Sequence, residues 1–170
     1  TTRQWTWVTG SQYGNMPSIF GAQGVAASAN TPSGRWGAVS WTDTAGRLWL
    51  WGGADASGLR ADLWRFDPAS GQWTWINGPT SSNSAGSYGT LKIAATSNQP
   101  PPRVHAAAWT DAAGNFWLFG GDPSRGDQMF NDLWSYSPTT NQWTWFGGAQ
   151  GAINDGGTGT WPGARTDVTI

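Results

Sequence analysis

The distribution of apolar and polar residues along the chain predicts short β-strands. Leu48-Trp-Leu-Trp51 is apolar at every position, which is typical of a strand covered on both faces. Gln72-Trp-Thr-Trp75 alternates instead, so its two tryptophans share one face. Gly, Ser, Asn and Pro dominate the segments between such runs, where turns and loops are expected. The pattern predicts an all-β chain in which the first kind of strand is central in its sheet and the second is peripheral.

A long unit occurs twice in the sequence. Residues 35–53 match residues 103–121 without a gap, and both stretches begin with Arg and end in Gly-Gly. Asp62-Leu-Trp64 then corresponds to Asp132-Leu-Trp134, and the Gln-Trp-Thr-Trp run also occurs in both units. Each unit contains four strand-like runs separated by turn residues, so each predicts four strands, the first beginning near residue 36 in the first unit.

The repeats define the expected organisation of the chain. Residues 35–76 and 103–146 are complete units, which we interpret as two four-stranded blades. Residues 1–8 match the last strand of a preceding unit, and residues 165–170 match the first strand of a following one. Long segments separate these parts, and because long loops are usually functional we expect them to form a contact surface. They comprise residues 8–34, 77–102 and 147–164.

The composition narrows the classes of function. The chain has 15 Trp, 25 Gly and no Cys, and its formal net charge is −1. Scattered arginines and a near-neutral charge give no surface for a nucleic acid or an anionic membrane. No apolar run reaches the roughly 18 residues that a membrane-spanning helix needs. We therefore expect no nucleic-acid partner and no membrane span.

The repeated residues resemble a known family. A diglycine at the end of the second strand, then Asp-Leu-Trp, Pro and Gln-Trp, is similar to the kelch repeat, and the Gln-Trp-Thr-Trp ending resembles tryptophan-rich bacterial kelch proteins. The resemblance implies a kelch-type β-propeller, in which several blades close into a ring. It also implies a secreted, cell-surface or periplasmic protein. Two complete blades with partial blades at both ends predict a fragment of a larger propeller, with a ring assembled from several copies of the chain as the alternative.

Enzymatic sites are not expected within this segment. Some kelch relatives are copper radical oxidases, but this sequence has no Cys and only one His, His105, so we predict no metal site and no cofactor. The aspartates that occur at repeated positions are interpreted as scaffold residues that cap backbone N–H groups. They are Asp43, Asp62, Asp111 and Asp132. An Arg-Gly-Asp triplet at residues 125–127 is too common a combination to indicate adhesion.

Three arginines are candidate ligand-binding residues. Arg35, Arg103 and Arg165 precede the first strand of their units. The resemblance to peptide-binding kelch proteins implies that they face a pocket near the channel mouth, where guanidinium groups would attract carboxylate or phosphate. The alternative is a repeated structural hydrogen bond from each arginine to loop carbonyls.

Aromatic residues in the long segments are the other binding candidates. They are interpreted as not repeating between units, and they would need a partner or a local cluster to cover them. These residues are Tyr13, Phe20, Tyr88 and Trp161. The sequence thus predicts a non-catalytic propeller module for protein–protein interaction or extracellular assembly, whose partner is another protein or the remaining blades. A carbohydrate-binding propeller with a glycan ligand is the alternative, and part of a propeller enzyme with its catalytic residues elsewhere is the third.

Overall fold

The structure is a computed structural model that describes residues 3–124 and 128–154. The described residues form strands, turns and loops, and none of them is helical. The first four-stranded sheet has the order β1-β2-β5-β6 and contains β1 (Val39–Thr42), β2 (Leu48–Trp51), β5 (Leu63–Asp67) and β6 (Gln72–Asn77). The second has the order β7-β8-β10-β11 and contains β7 (Ala107–Thr110), β8 (Phe116–Phe119), β10 (Leu133–Ser137) and β11 (Gln142–Gly147). The short strands are β3 (Ala54–Asp55), β4 (Gly58–Leu59), β9 (Gln128–Met129) and β12 (Ile153–Asn154).

The prediction of an all-β fold is confirmed. Each four-stranded sheet lies within one repeat unit, and its neighbouring strands are antiparallel. Gly46 and Gly71 adopt φ values of 76° and 67° in the turns between β1 and β2 and between β5 and β6, a left-handed conformation that glycine tolerates. The first strand begins at Val39 and not near residue 36, because Gly37 has a φ of 63° that interrupts the extended backbone.

The diglycine after β2 permits a close approach of two backbone segments. Gly53 has a φ of 85°, and a Cβ atom there would lie 2.8 Å from the carbonyl oxygen of Trp36. Only glycine fits this conformation and this space. As a result, Trp36 and Ala54 exchange two backbone hydrogen bonds of 3.0 and 2.9 Å. The β3–β4 hairpin is thereby fixed beside the start of the unit.

The two large sheets pack face to face through aromatic side chains. The contacting side of the first sheet, its front face, carries Trp41, Trp49 and Trp51, and the contacting side of the second, its back face, carries Phe116, Tyr136 and Trp143. Trp41 stacks on Phe116 with ring centroids 5.2 Å apart, and Trp51 meets Trp143 edge to face at 5.8 Å. All six side chains are 5% exposed or less. The main core therefore lies between the sheets.

The long segments that precede the sheets are bonded to sheet edges. Ala27 N–H donates to the carbonyl of Trp73 on β6, and the amide of Asn30 donates to the same oxygen at 3.1 Å. In the second unit the Asn98 amide donates to the carbonyl of Trp143 on β11 at 2.9 Å. These contacts satisfy outer-strand carbonyls that would otherwise form an open edge. Part of each long segment thus covers the fourth strand of the sheet that follows it.

Residues 3–8 carry no strand, although their sequence matches the fourth strand of a unit. The side chains of Trp5 and Trp7 are exposed, whereas the equivalent Trp73 lies on β6, which pairs with β5. An extended segment becomes a strand only when a neighbour satisfies its backbone groups. The other predicted partial unit, residues 165–170, lies outside the described residues.

Candidate functional site

A buried pair of arginine and aspartate occurs at the same place in both repeat units. Arg35 donates from Nη1 to Asp62 Oδ1 at 2.6 Å and from Nη2 to Asp62 Oδ2 at 2.9 Å. Arg103 pairs with Asp132 in the same two-pronged manner, with Nη2 to Oδ2 at 2.8 Å. The side chains of both pairs are 4% exposed or less. Two parallel charge-assisted bonds in a buried place give a strong and geometrically specific contact.

The same guanidinium groups also bind backbone carbonyls. Arg35 donates to the Gly52 carbonyl at 3.1 Å, and Arg103 donates to the equivalent Gly120 carbonyl at 2.8 Å. Arg103 additionally stacks on Phe130, with its Cζ atom 3.7 Å from the ring centroid. These are bonds of the structural kind that the sequence left open as an alternative to ligand binding. Each arginine is bound to the aspartate of its own unit, so the place of an anionic ligand is taken by a carboxylate.

The Asp-Leu-Trp motif completes this network. Trp64 donates its indole N–H to Asp62 Oδ2 at 2.8 Å, and Trp134 donates to Asp132 Oδ2 at 2.8 Å. Residues two apart in a strand share a face, which is why the indole reaches the carboxylate. The expectation that these two aspartates cap backbone N–H groups is therefore wrong. They accept hydrogen bonds from arginine and tryptophan side chains because both are buried beside them.

The hairpin aspartates do cap backbone groups as expected. Asp111 Oδ1 accepts from the backbone N–H of Ala113 and of Asn115, both at 2.9 Å, and Oδ2 accepts from the Trp117 indole at 2.8 Å. The Asn115 side chain and the Trp117 indole are the main causes that lower the pKa of Asp111 to about 2. Asp43 makes the equivalent bonds in the first unit.

Phe20 and Tyr88 lie at equivalent positions, which corrects the interpretation that these aromatics do not repeat. Each precedes the arginine of its unit by the same number of residues. Phe20 packs on Trp64 with centroids 5.1 Å apart, and Tyr88 packs on Trp134 at 5.0 Å. The Tyr88 hydroxyl also donates to Asp132 at 2.7 Å. Burial and the Asp132 charge raise the pKa of Tyr88 above its usual value.

The remaining aromatic and basic candidates are separate from this network. Tyr13 is exposed and lies in the first long segment. Trp161, Arg165 and the triplet at residues 125–127 lie outside the described residues. The structure therefore brings Arg103 and Tyr88 together at Asp132, places Phe20 against the Trp64 partner of Asp62, and leaves Tyr13 apart.

Both units and the segment between them line a cavity of about 710 Å³, which we call the interunit cleft. Its walls include the β3–β4 hairpin, residues 83–86 and 101–102, and residues around β9. Trp36 contributes an exposed indole to it, although Trp36 was not among the residues predicted from sequence. One signal in the sequence could have identified Trp36, because the second unit has Val104 at the equivalent position. In the structure Val104 is fully buried, whereas Trp36 is exposed.

The side chains that line the cleft are mostly apolar, and its polar side chains other than Asp55 are uncharged. The Ser84 hydroxyl oxygen is buried without a hydrogen-bond partner. Asn83 Oδ1 accepts from the backbone N–H of Leu59 at 3.0 Å, which leaves its amide nitrogen as a donor. Asp55 is ionised but paired with Arg60 at 2.6 Å. Burial alone would raise the pKa of Asp55, but hydrogen bonds and the Arg60 charge lower it below its usual value.

Within residues 3–124 and 128–154, no group of His, Asp or Glu side chains is arranged to hold a metal ion. The same residues contain no helix of the length and apolar character needed to cross a membrane.

No protein-family model and no curated protein matches the sequence. Among solved structures, the chain is similar to one described as "Structure of YjhT", with 19% sequence identity and a TM-score of 0.45. The similarity covers 81% of this chain and 32% of that chain, so this chain spans well under two thirds of the length of that structure.

Proposed function

We propose that this chain forms two adjacent blades of a kelch-type β-propeller and works as a non-catalytic module for protein–protein interaction or structural assembly. Each repeat unit holds one four-stranded antiparallel sheet, and the two sheets pack face to face. Radially repeated four-stranded sheets with aromatic contacts between them are the arrangement of propeller blades. The kelch assignment rests on the repeated diglycine, Asp-Leu-Trp and Gln-Trp residues.

One observation carries the assembly proposal: the faces that do not meet each other have the same apolar pattern as the faces that do. Leu48 lies on the back face of the first sheet and is 45% exposed, whereas its equivalent Phe116 is 0% exposed in the contact between the sheets. On the front face of the second sheet, Trp117 is half-buried, whereas its equivalent Trp49 is buried. Both free faces therefore match surfaces that are buried elsewhere in the chain.

The matching pattern identifies the kind of partner. A front face is complementary to a back face in the contact already present, so each free face fits the opposite face of another sheet with the same alternation. Burial of apolar surface stabilises such a contact by about 25 cal/mol per Å². Leu48 is the exposed apolar side chain of the first sheet's back face, since Trp64 and Phe66 on the same face are 0% and 7% exposed. We infer that the partner is a further blade-like sheet, from additional repeats or from another protein, and that a second copy of this chain can supply it.

The assembly proposal is tested with a charged substitution on the free back face. Sedimentation velocity over a range of concentrations should show association of the chain, since it presents one free front face and one free back face. Leu48→Asp should weaken association at least tenfold, because it buries an unpaired charge in an apolar contact. Leu91→Asp is the matched control, since Leu91 is 46% exposed but lies in the segment between the sheets. A chain that stays monomeric throughout, or association unaffected by Leu48→Asp, contradicts the proposal.

Carbohydrate binding is the second candidate function. It is favoured by the composition of the interunit cleft and not by the aromatic residues of the long segments. The Tyr88 ring packs on Trp134 and its hydroxyl donates to Asp132, so Tyr88 is a poor candidate for stacking on a sugar.

A further inference from the structure

We propose that the interunit cleft binds a neutral saccharide chain. The inference goes beyond assembly through the sheet faces, because the cleft and the free back face use different residues. The cavity of about 710 Å³ lies within the range of roughly 300–1,000 Å³ that is usual for ligand sites in proteins. Segments from both units form it, so it exists only where two units are adjacent.

Trp36 supplies the apolar platform of the site. Its backbone is fixed by two hydrogen bonds to Ala54, while its side chain is 55% exposed and lines the cavity. The π face of an indole is negative and attracts the weakly positive C–H groups on the flat side of a pyranose ring. The prolines at 101, 102 and 123 add rigid apolar walls. The second unit has Val104 in place of Trp36, so this platform is specific to the cleft.

Uncharged polar side chains also line the cavity. Ser84 also lines the cavity, but its hydroxyl oxygen has almost no accessible surface there and has no partner in the protein. The amide nitrogen of Asn83 and the side-chain amide of Gln128 lie in the same lining. Hydroxyls and amides both donate and accept, and sugar hydroxyl groups do the same. The lining is therefore complementary to a hydroxylated ligand.

The charge balance of the described lining favours a neutral ligand over a charged one. Asp55 is the one ionised side chain among the described lining residues, and the Arg60 guanidinium neutralises it at 2.6 Å. A ligand carboxylate or ammonium would lose its hydration without gaining an ion pair from these residues. A sugar without charge avoids this penalty and still uses the aromatic platform and the polar groups.

The test is a titration of the chain with neutral gluco-, galacto-, manno- and xylo-oligosaccharides, followed by calorimetry and tryptophan fluorescence. We expect one of these classes to bind. Trp36→Val, which introduces the residue of the second unit, should weaken binding at least tenfold. Gln128→Ala should weaken it about fivefold, the equivalent of one hydrogen bond. Trp7→Ala is the matched control, since Trp7 is an exposed tryptophan outside the cleft, and it should bind as the unchanged chain does.

Three results would overturn the saccharide proposal. The first is the absence of binding to every neutral class. The second is binding that Trp36→Val does not change. The third is tighter binding of a uronate oligosaccharide or of a proline-rich peptide, which would show that the cleft is a site for another class of ligand. Leu48→Asp should keep full saccharide binding, so failure of the assembly proposal and failure of this one are distinguishable.

Discussion

Replacement of Arg103 by Met tests whether this arginine is structural. Methionine keeps much of the length of the side chain but removes every donor. In the structure Arg103 donates to both oxygens of Asp132 and to the carbonyls of Pro101 and Gly120. Asp132 is 0% exposed and would retain the Trp134 indole and the Tyr88 hydroxyl as its side-chain donors. Its charge would then be buried without a counterion.

The size of the expected loss in unfolding free energy follows from the burial of the Arg103–Asp132 pair. Removing one partner of a buried ion pair costs about 3–5 kcal/mol, because the other charge is left uncompensated. Arg47→Met is the matched control, since Arg47 pairs with Asp43 at 2.7 Å but its side chain is 35% exposed. A pair of this kind is worth about 0–1 kcal/mol. We therefore expect Arg103→Met to lose at least about 2 kcal/mol more than Arg47→Met, the gap between these two ranges.

Urea unfolding followed by tryptophan fluorescence measures both variants. The double variant Arg103→Met with Asp132→Asn should recover part of the loss, because no buried charge remains. A cost for Arg103→Met that equals the cost for Arg47→Met would refute the reasoning. Urea unfolding in the presence of phosphate tests the alternative that Arg103 binds an anionic ligand. A bound anion would stabilise the unchanged chain by mass action and not the variant, whereas a structural arginine predicts the same phosphate effect on both.

Three further predictions concern stability. Asp111→Asn should lower the urea midpoint at pH 7. The lowered pKa of Asp111 contributes stability that is present above its unfolded pKa near 4, so the difference should shrink as the pH falls toward about 2. Asn98→Ala should cost about 1–3 kcal/mol by urea unfolding, because the β11 carbonyl of Trp143 loses a buried donor. Gly53→Ala should destabilise more than Gly114→Ala in thermal melts: both have positive φ, but only Gly53 has backbone within 2.8 Å of the new Cβ.

The repeat pattern was sufficient to predict the sheets, because the information that determines them is local. Alternation in Gln72-Trp-Thr-Trp75 and the continuous apolar run at residues 48–51 correctly placed the peripheral and central strands. Gly46 and Gly71 marked turns for a reason internal to the residue, namely their tolerance of positive φ. The same reasoning correctly identified the hairpin role of Asp111.

Contacts between residues far apart in the chain were decided by the tertiary structure alone. The partner of Arg103 is 29 residues away in Asp132, and that of Asn98 is 45 residues away on β11. No local pattern specifies which buried donor meets which acceptor, so the arginine network and the edge-covering segments could not be assigned from sequence. The interunit cleft likewise depends on how two units and their connection meet. Sequence determined which residues form strands and turns, whereas packing determined which polar groups are already satisfied and which, like the Ser84 hydroxyl, are left without a partner.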